Sequence, residues 1–72
     1  MSARATTQIT LNGEAHTIDG DLGLSTLLEK LKVRGKRIAV EINGDVVRKA
    51  DYARVMLRAG DKVEVINFVG GG

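Results

Sequence analysis

The sequence contains no cysteine, no proline and no tryptophan, and its only aromatic residues are Tyr52 and Phe68. Without cysteine, the chain forms neither a disulfide framework nor a cysteine-ligated zinc site, and it has no thiol nucleophile. Without aromatic residues among the basic ones, it lacks the stacking surfaces typical of single-stranded nucleic-acid binding. We therefore expect an aliphatic core, no metal centre, no bound cofactor and no nucleic-acid partner.

Long apolar runs are also absent. No stretch approaches the ~20 residues that a membrane-spanning helix needs. The N-terminal residues Met1–Thr7 are polar and lack the apolar region of a signal peptide. The absence of cysteine suits a reducing compartment. These features predict a cytoplasmic protein with no membrane partner.

The length and charge of the chain indicate one small globular domain. Its 72 residues are 43% hydrophobic and 28% charged, and the formal net charge is only +2. This balance does not favour nucleic-acid binding. The clearest basic cluster is interpreted as the solvated end of a helix, where positive charge is favourable, and a phosphate-binding or docking role is the alternative. The cluster consists of Lys30, Lys32, Arg34, Lys36 and Arg37.

The first half of the sequence predicts a hairpin followed by a helix. Alternating residues form strands at Gln8–Leu11 and Glu14–Ile18, joined by an Asn-Gly pair typical of a type I′ turn. An amphipathic helix follows, with Gly35 as its C′ residue. Thr26 and Glu29 have the spacing of a capping box, and a helix start one or two residues earlier is the alternative. Its apolar stripe has helical spacing: Leu24, Leu27, Leu28 and Leu31.

The second half predicts further strands. Arg37–Ile42 alternates, a second Asn-Gly turn leads to a short return strand at Val46-Val47, and Lys62–Phe68 is the last strand. Lys49–Met56 is predicted to be irregular or a short helical turn. The order favours an α+β fold of the ubiquitin-like β-grasp type, a mixed sheet of four to five strands packed on one main helix. A split βαβ fold is the alternative, but it needs a second helix.

No set of residues within the predicted domain is typical of a catalytic centre. His16 is the only histidine and is expected at the surface, while Ser2 and Ser25 lie in the N-terminal tail and at the helix start. The glycines match neither a P-loop nor a dinucleotide-binding motif. We therefore expect that the chain is not an enzyme.

The C-terminal glycines are the best candidate for chemistry. We predict a domain over residues 1–69 and a flexible tail of Gly70, Gly71 and Gly72. Such a tail spans about 10 Å when extended, and without Cβ atoms it fits narrow sites. Gly70 and Gly71 would supply the reach and Gly72 the carboxylate. A carboxylate must be activated before acyl transfer, and a partner enzyme with ATP would supply that activation.

A docking patch is predicted beside the tail. Val63 and Val65 alternate with Glu64, Ile66 and Phe68, so the two sets face opposite sides of the last strand. If the helix covers the valines, Ile66 and Phe68 are exposed. Together with Val69 they form the predicted partner-binding patch. The alternative is that sheet twist buries these side chains at the sheet margin.

The sequence resembles the ThiS-type sulfur carrier proteins of thiamine biosynthesis over nearly its whole length, from Ile9 to Gly72. The pattern from Val40 to Val47 and the Gly-Asp pair before the last strand are specific in combination. Arg48 stands where many relatives have proline, and Gly70 is an additional glycine. The matching segments are Ile9–Glu14, Leu27–Leu31, Ile38–Val47, Leu57, Gly60–Ile66 and Gly71-Gly72.

The resemblance implies a mechanism in which the chain is a co-substrate. An E1-like adenylyltransferase (ThiF-type) would adenylate the Gly72 carboxylate with ATP. Sulfur that comes from cysteine through a desulfurase would then replace AMP and give a thiocarboxylate, the 1-thioglycine form of Gly72. Thiazole synthase (ThiG-type) would take this sulfur for the thiazole ring.

Related carriers remain as alternatives. The small subunit of molybdopterin synthase shares this type of fold and tail, and other carriers of the superfamily serve further sulfur-transfer pathways. A ubiquitin-like protein modifier would use Gly72 for conjugation to lysine. An interaction domain with an inert tail is a further possibility.

Overall fold

The computed structural model describes residues 6–33 and 37–68. Within these ranges the chain forms five strands, one α-helix and one 3₁₀ helix. The strands are β1 (Thr6–Leu11), β2 (Glu14–Asp19), β3 (Ile38–Ile42), β4 (Asp45–Val47) and β5 (Lys62–Asn67), the α-helix is α1 (Leu24–Lys30), and the 3₁₀ helix spans Lys49–Arg54.

The five strands form one mixed sheet in the order β2-β1-β5-β3-β4. The central pair, β1 and β5, is parallel, and every other neighbouring pair is antiparallel. This arrangement confirms the predicted β-grasp fold. The split βαβ alternative is wrong, because the segment that would have to supply its second helix forms only a 3₁₀ helix.

Both predicted Asn-Gly turns are confirmed. Asn12 and Gly13 join β1 to β2 with φ angles of 50° and 84°, and Asn43 and Gly44 join β3 to β4 with φ angles of 54° and 86°. A type I′ turn requires positive φ at both central residues, and asparagine followed by glycine meets this requirement with little strain.

The helix begins earlier than the predicted capping box. Its N-cap residue is Gly23, which has no side chain to cap the first turn. The carboxylate of Asp21 takes this role: one oxygen accepts a hydrogen bond from the Gly23 main-chain N–H at 2.8 Å, and the other accepts one from the Thr26 hydroxyl at 3.0 Å. Thr26 is therefore a donor to Asp21 and not the N-cap residue.

The helix also ends earlier than predicted. Its C-cap is Leu31, and the next residue, Lys32, has a φ of 60°. The N–H of Lys32 donates to the Glu29 carbonyl at 3.0 Å, and that of Val33 donates to the Leu28 carbonyl at 3.4 Å. This is a Schellman motif with lysine at C′. The prediction of Gly35 as C′ is wrong, and Gly35 itself lies outside the described residues.

The core lies between α1 and one face of the sheet, as the leucine stripe predicts. The segment after the 3₁₀ helix contributes to it, because Leu57 donates its N–H to the Leu22 carbonyl at 2.7 Å and is 1% exposed. Among the described residues, no helix has the length and apolar character needed to span a membrane. The buried core consists of Ile9, Ile18, Leu24, Leu27, Leu28, Val40, Leu57 and Val63.

A main-chain ladder and two asparagine side chains fix β5 in the middle of the sheet. Asn12 donates its N–H to the Val63 carbonyl at 2.9 Å, and its side-chain oxygen accepts the Val65 N–H at 2.8 Å. On the other side, the Asn43 side-chain oxygen accepts the Lys62 N–H at 2.9 Å. Each turn asparagine thus both forms its turn and holds β5.

The first prediction concerns the side chain of Asn12. Glycine tolerates the positive φ but lacks the acceptor for the Val65 N–H, so we expect Asn12→Gly to lower the free energy of unfolding by about 1 kcal/mol. Urea unfolding measures this change. Asn12→Asp retains an acceptor oxygen and a residue suited to the turn, and it should remain close to the natural protein. Equal stability of the two variants would contradict the role of the side chain.

The second prediction concerns the pH dependence that Asp21 confers. The hydrogen bond from Gly23 and then that from Thr26 lower the pKa of the Asp21 carboxyl below 3.8, with a smaller contribution from Lys30. A lowered pKa in the folded state means that this stabilisation is present above the unfolded pKa and is lost as the pH falls through the folded pKa.

Asp21→Asn mimics the protonated carboxyl. We therefore expect it to lower the melting temperature near pH 7, and we expect the difference from the natural protein to shrink as the pH falls through the folded-state pKa of Asp21. Asp45→Asn is the matched control, because Asp45 is an exposed carboxylate in β4, away from the helix start. A difference that persists unchanged at low pH would show that the charge of Asp21 is not involved.

Candidate functional site

The two predicted site residues that the structure describes lie at the end of the central strand. Ile66 is in β5, and Phe68 follows its last residue. The predicted tail of Gly70, Gly71 and Gly72, together with Val69, lies outside the described residues. The structure therefore places the strand that leads into the tail and the side chains that precede it.

The alternation predicted for β5 is confirmed. Val63 is fully buried under α1 and Val65 is half-buried, whereas Ile66 is 43% exposed and Phe68 is 54% exposed. The alternative of burial at the sheet margin is wrong for these two side chains. They belong to the sheet face opposite α1, here called the open face, which no element of the described residues covers.

The open face continues from β5 onto β3 and β4. Ala39 lies opposite Ile66, and the main-chain carbonyl of Arg37 accepts the Phe68 N–H at 2.8 Å. At the far edge, Val46 of β4 is 70% exposed and lies opposite Glu41 of β3. Sequence analysis did not include Val46 in the patch. The sequence feature that indicates an exposed valine here is the Val46-Val47 pair, because two adjacent strand residues cannot both face the core.

Two glutamates lie together within the open face. Glu41 of β3 and Glu64 of β5 are directly opposite in the antiparallel register. Neither side chain accepts a hydrogen bond or forms an ion pair within residues 6–33 and 37–68. Directly opposed like charges destabilise a sheet. Sequence analysis missed this pair, because the two residues become neighbours only through the register of β3 and β5.

The main-chain hydrogen bonds of β5 change along its length. Up to Val65, the strand is held from both sides, by β1 with Asn12 and by β3. Beyond Val65, the described partners of the strand all come from β3, since β1 has already turned away at Asn12. The chain that leads into the predicted tail therefore leaves the sheet along a single neighbouring strand.

The remaining polar residues do not form an internal reaction centre. His16 is half-buried on β2 opposite Ile9, and it lines a shallow cleft between β2 and α1 together with Asp21 and Lys30. Ser25 lies in the first turn of α1. Within the described part of the chain, no three side chains of the metal-ligating types His, Cys, Asp and Glu come together in a group that could hold a metal ion.

Comparison with known proteins adds to this geometry. The model of the ThiS family matches residues 9–72, which include the predicted tail. The crystal structure of the thiamine biosynthesis protein ThiS from Geobacter metallireducens superposes with a TM-score of 0.77 at 36% identity, and the match covers 92% of this chain and 100% of that one.

Two curated relatives show the range of the matching proteins. The sulfur carrier protein ThiS of Bacillus subtilis is 35% identical over 63 residues, which cover 86% of this chain and 96% of that protein. The thiazole synthase of Paramagnetospirillum magneticum is 37% identical over 65 residues, or 90% of this chain. The chain spans only about 20% of the length of that synthase, which therefore includes a segment similar to this protein.

The sheet order, the single covering helix and the family match agree. The described strands and helix reproduce the fold of a solved ThiS protein, and the matched region extends from β1 through the three glycines. On these grounds the chain belongs to the ThiS family.

Proposed function

We propose that the protein carries sulfur as a thiocarboxylate on Gly72 for the synthesis of the thiazole ring of thiamine. The observation that carries the proposal is the family match, which includes all three glycines of the predicted tail. The similarity to a segment of a thiazole synthase favours the thiamine pathway over the molybdopterin and protein-modifier alternatives. In this proposal the chain is a co-substrate, and its partners are the catalysts.

The proposed activation starts at the Gly72 carboxylate. One carboxylate oxygen attacks the α-phosphorus of ATP, and pyrophosphate leaves. The terminal sulfur of a persulfide, which a desulfurase forms from cysteine, attacks the carbonyl carbon of the acyl-adenylate, and AMP leaves to give an acyl disulfide. A second thiol then attacks the outer sulfur of this acyl disulfide, forms a new disulfide with it and releases the thiocarboxylate, so this thiol supplies the two electrons. The net result for the carrier is the exchange of one carboxylate oxygen for sulfur. An E1-like adenylyltransferase of the ThiF type supplies the catalytic groups for adenylation.

The fold supports this function by separating binding from chemistry. Ile66 in β5 and Phe68 directly after it are exposed, and they come shortly before the proposed reactive tail in the chain. Glycines have no Cβ, so such a tail enters a narrow active site. The proposed role of Ile66, Phe68 and Val69 is to hold the domain against a partner while the tail reaches about 10 Å into that partner.

The third prediction tests Gly72. The protein is incubated with its E1-like adenylyltransferase, ATP and a sulfur donor, and intact-protein mass spectrometry follows the product. We expect a gain that corresponds to one exchange of oxygen for sulfur. Deletion of Gly72 should abolish the gain, because the carboxylate then lies one residue short of the reacting atoms. The thermal unfolding of the deletion variant should match that of the natural protein.

The alternatives give different products in the same experiment. Higher-mass protein adducts would indicate a modifier, and no change in mass would indicate an inert tail. Sulfur transfer to the Gly72 deletion variant would contradict the proposed role of the tail. Addition of thiazole synthase with its other substrates should return the carrier to its original mass.

The fourth prediction tests the docking patch. We expect the double variant Ile66→Ser, Phe68→Ser to raise the KM of the adenylyltransferase for the carrier about tenfold or more, because exposed apolar and aromatic side chains provide binding energy in interfaces. The melting temperature should change little, since both side chains are already exposed.

Met56→Ser provides the matched control. Met56 is 58% exposed but lies next to the helix start, where it pairs with Gly23, and not on the open face. Its substitution should leave the KM unchanged. An unchanged KM in the double variant, or a KM change that accompanies a collapsed melting temperature, would contradict the docking role of Ile66 and Phe68.

A further inference from the structure

The open face combines apolar side chains with a pair of carboxylates that has no ion-pair partner among the described residues. Glu41 and Glu64 lie directly opposite each other, and their Cβ atoms are therefore about 5 Å apart. The nearest cations along the two strands are Lys62 and Arg37. Neither forms an ion pair with Glu41 or Glu64 within the described residues. Within the described part of the domain, no ion pair therefore offsets the repulsion between the two carboxylates.

The pair is adjacent to the docking patch. Glu64 precedes Ile66 by two residues on the same face of β5, which is about 7 Å. Glu41 has Ala39 next to it along β3 and Val46 opposite it on β4. A protein surface that covers both Ile66 and the exposed Val46 would lie over or beside both carboxylates, because Glu41 is the cross-strand neighbour of Val46 and Glu64 is next to Ile66 along β5.

Covering these carboxylates has an energetic consequence. A carboxylate removed from water without a partner is strongly unfavourable. Two adjacent carboxylates increase this cost, and an apolar partner surface alone would not offset it. A guanidinium group has several donors in one plane and binds carboxylates in two-point geometry, so one arginine fits the pair better than one lysine does.

We propose that the open face docks onto thiazole synthase, and that an arginine on an otherwise apolar surface of the synthase binds the Glu41–Glu64 pair. This inference rests on the proposed function, and it adds the chemistry by which the carrier recognises this partner. We choose thiazole synthase as the partner because one such synthase includes a segment similar to this chain. Two units joined in one chain are held at high effective concentration, which favours contact between them.

The stability and binding effects of the pair have opposite signs. Removal of the two charges relieves the cross-strand repulsion in the free domain, but it also removes the partner of the arginine in the complex. An ordinary structural role would make stability and binding fall together. The two quantities therefore distinguish a recognition element from a residue that merely supports the fold.

The experiment compares the natural protein with the double variant Glu41→Gln, Glu64→Gln. Binding to the thiazole synthase of the same organism is measured by isothermal titration calorimetry at two salt concentrations. Charges are weakly screened at about 50 mM salt and strongly screened at about 500 mM salt. We expect the Kd to rise about tenfold or more at low salt, which corresponds to the loss of a hydrogen-bonded charge pair. The difference should narrow at high salt, and the melting temperature should stay equal or rise.

The matched control is the double variant Glu14→Gln, Glu29→Gln. It makes the same change in net charge at exposed positions in β2 and α1, outside the open face. Its Kd should remain within about twofold of the natural value, since rim charges far from a contact contribute little. A comparable loss of affinity in this control would attribute the effect to net charge and overturn the proposal.

Sulfur loading of both proteins by the adenylyltransferase is measured as well, so that a failure of this inference can be distinguished from a failure of the proposed function. If the natural protein binds thiazole synthase and the Glu41→Gln, Glu64→Gln variant binds equally well, the inference is wrong and the proposed function stands. If the variant binds the synthase normally but loads sulfur poorly, the pair serves the adenylyltransferase and the inference is again wrong. If the natural protein shows neither loading nor binding, the proposed function fails.

Discussion

The structure depends on how β5 is held between its neighbours. β1 runs parallel to it and β3 antiparallel, and both flanking strands end at an Asn-Gly turn beside its first half. The side-chain oxygens of Asn12 and Asn43 accept main-chain N–H groups of β5. At Asn12 this oxygen substitutes for the main-chain carbonyl that a longer β1 would have offered. The same residue thus closes a hairpin and completes the hydrogen bonding of the central strand.

Much of this fold follows from local patterns in the sequence. The strand alternation, the Asn-Gly turns and the leucine stripe each reflect interactions between residues close in the chain, so they predicted the hairpins, the helix and the exposed side of β5. The helix ends were mispredicted because the capping groups differ from the common ones. Asp21 caps from outside the N-cap position, and Lys32 occupies a left-handed conformation that glycine usually adopts.

The candidate site shows a different limit of sequence analysis. Ile66 and Phe68 were found because alternation within one strand places them. The Glu41–Glu64 pair was not found, because its members are separated by most of the second half of the chain and meet only through the register of β3 with β5. The alternation of side chains along one strand predicts which residues face away from the core. Pairing between strands then determines which of them become neighbours.

The small size of the domain explains why one sheet face is available for partners. One seven-residue helix covers one face, and the buried side chains come from that interface. A chain of this length buries only about 60% of its unfolded surface, and residues 6–33 and 37–68 provide no second layer for the other face. Exposed Ile66, Phe68 and Val46 are unfavourable in water but cost the fold little, because α1 already shields the core. Beyond Val65, β5 leaves β1 and runs along β3 alone, so the exposed side chains that end the described part of the chain depend on the pairing of β5 with β3.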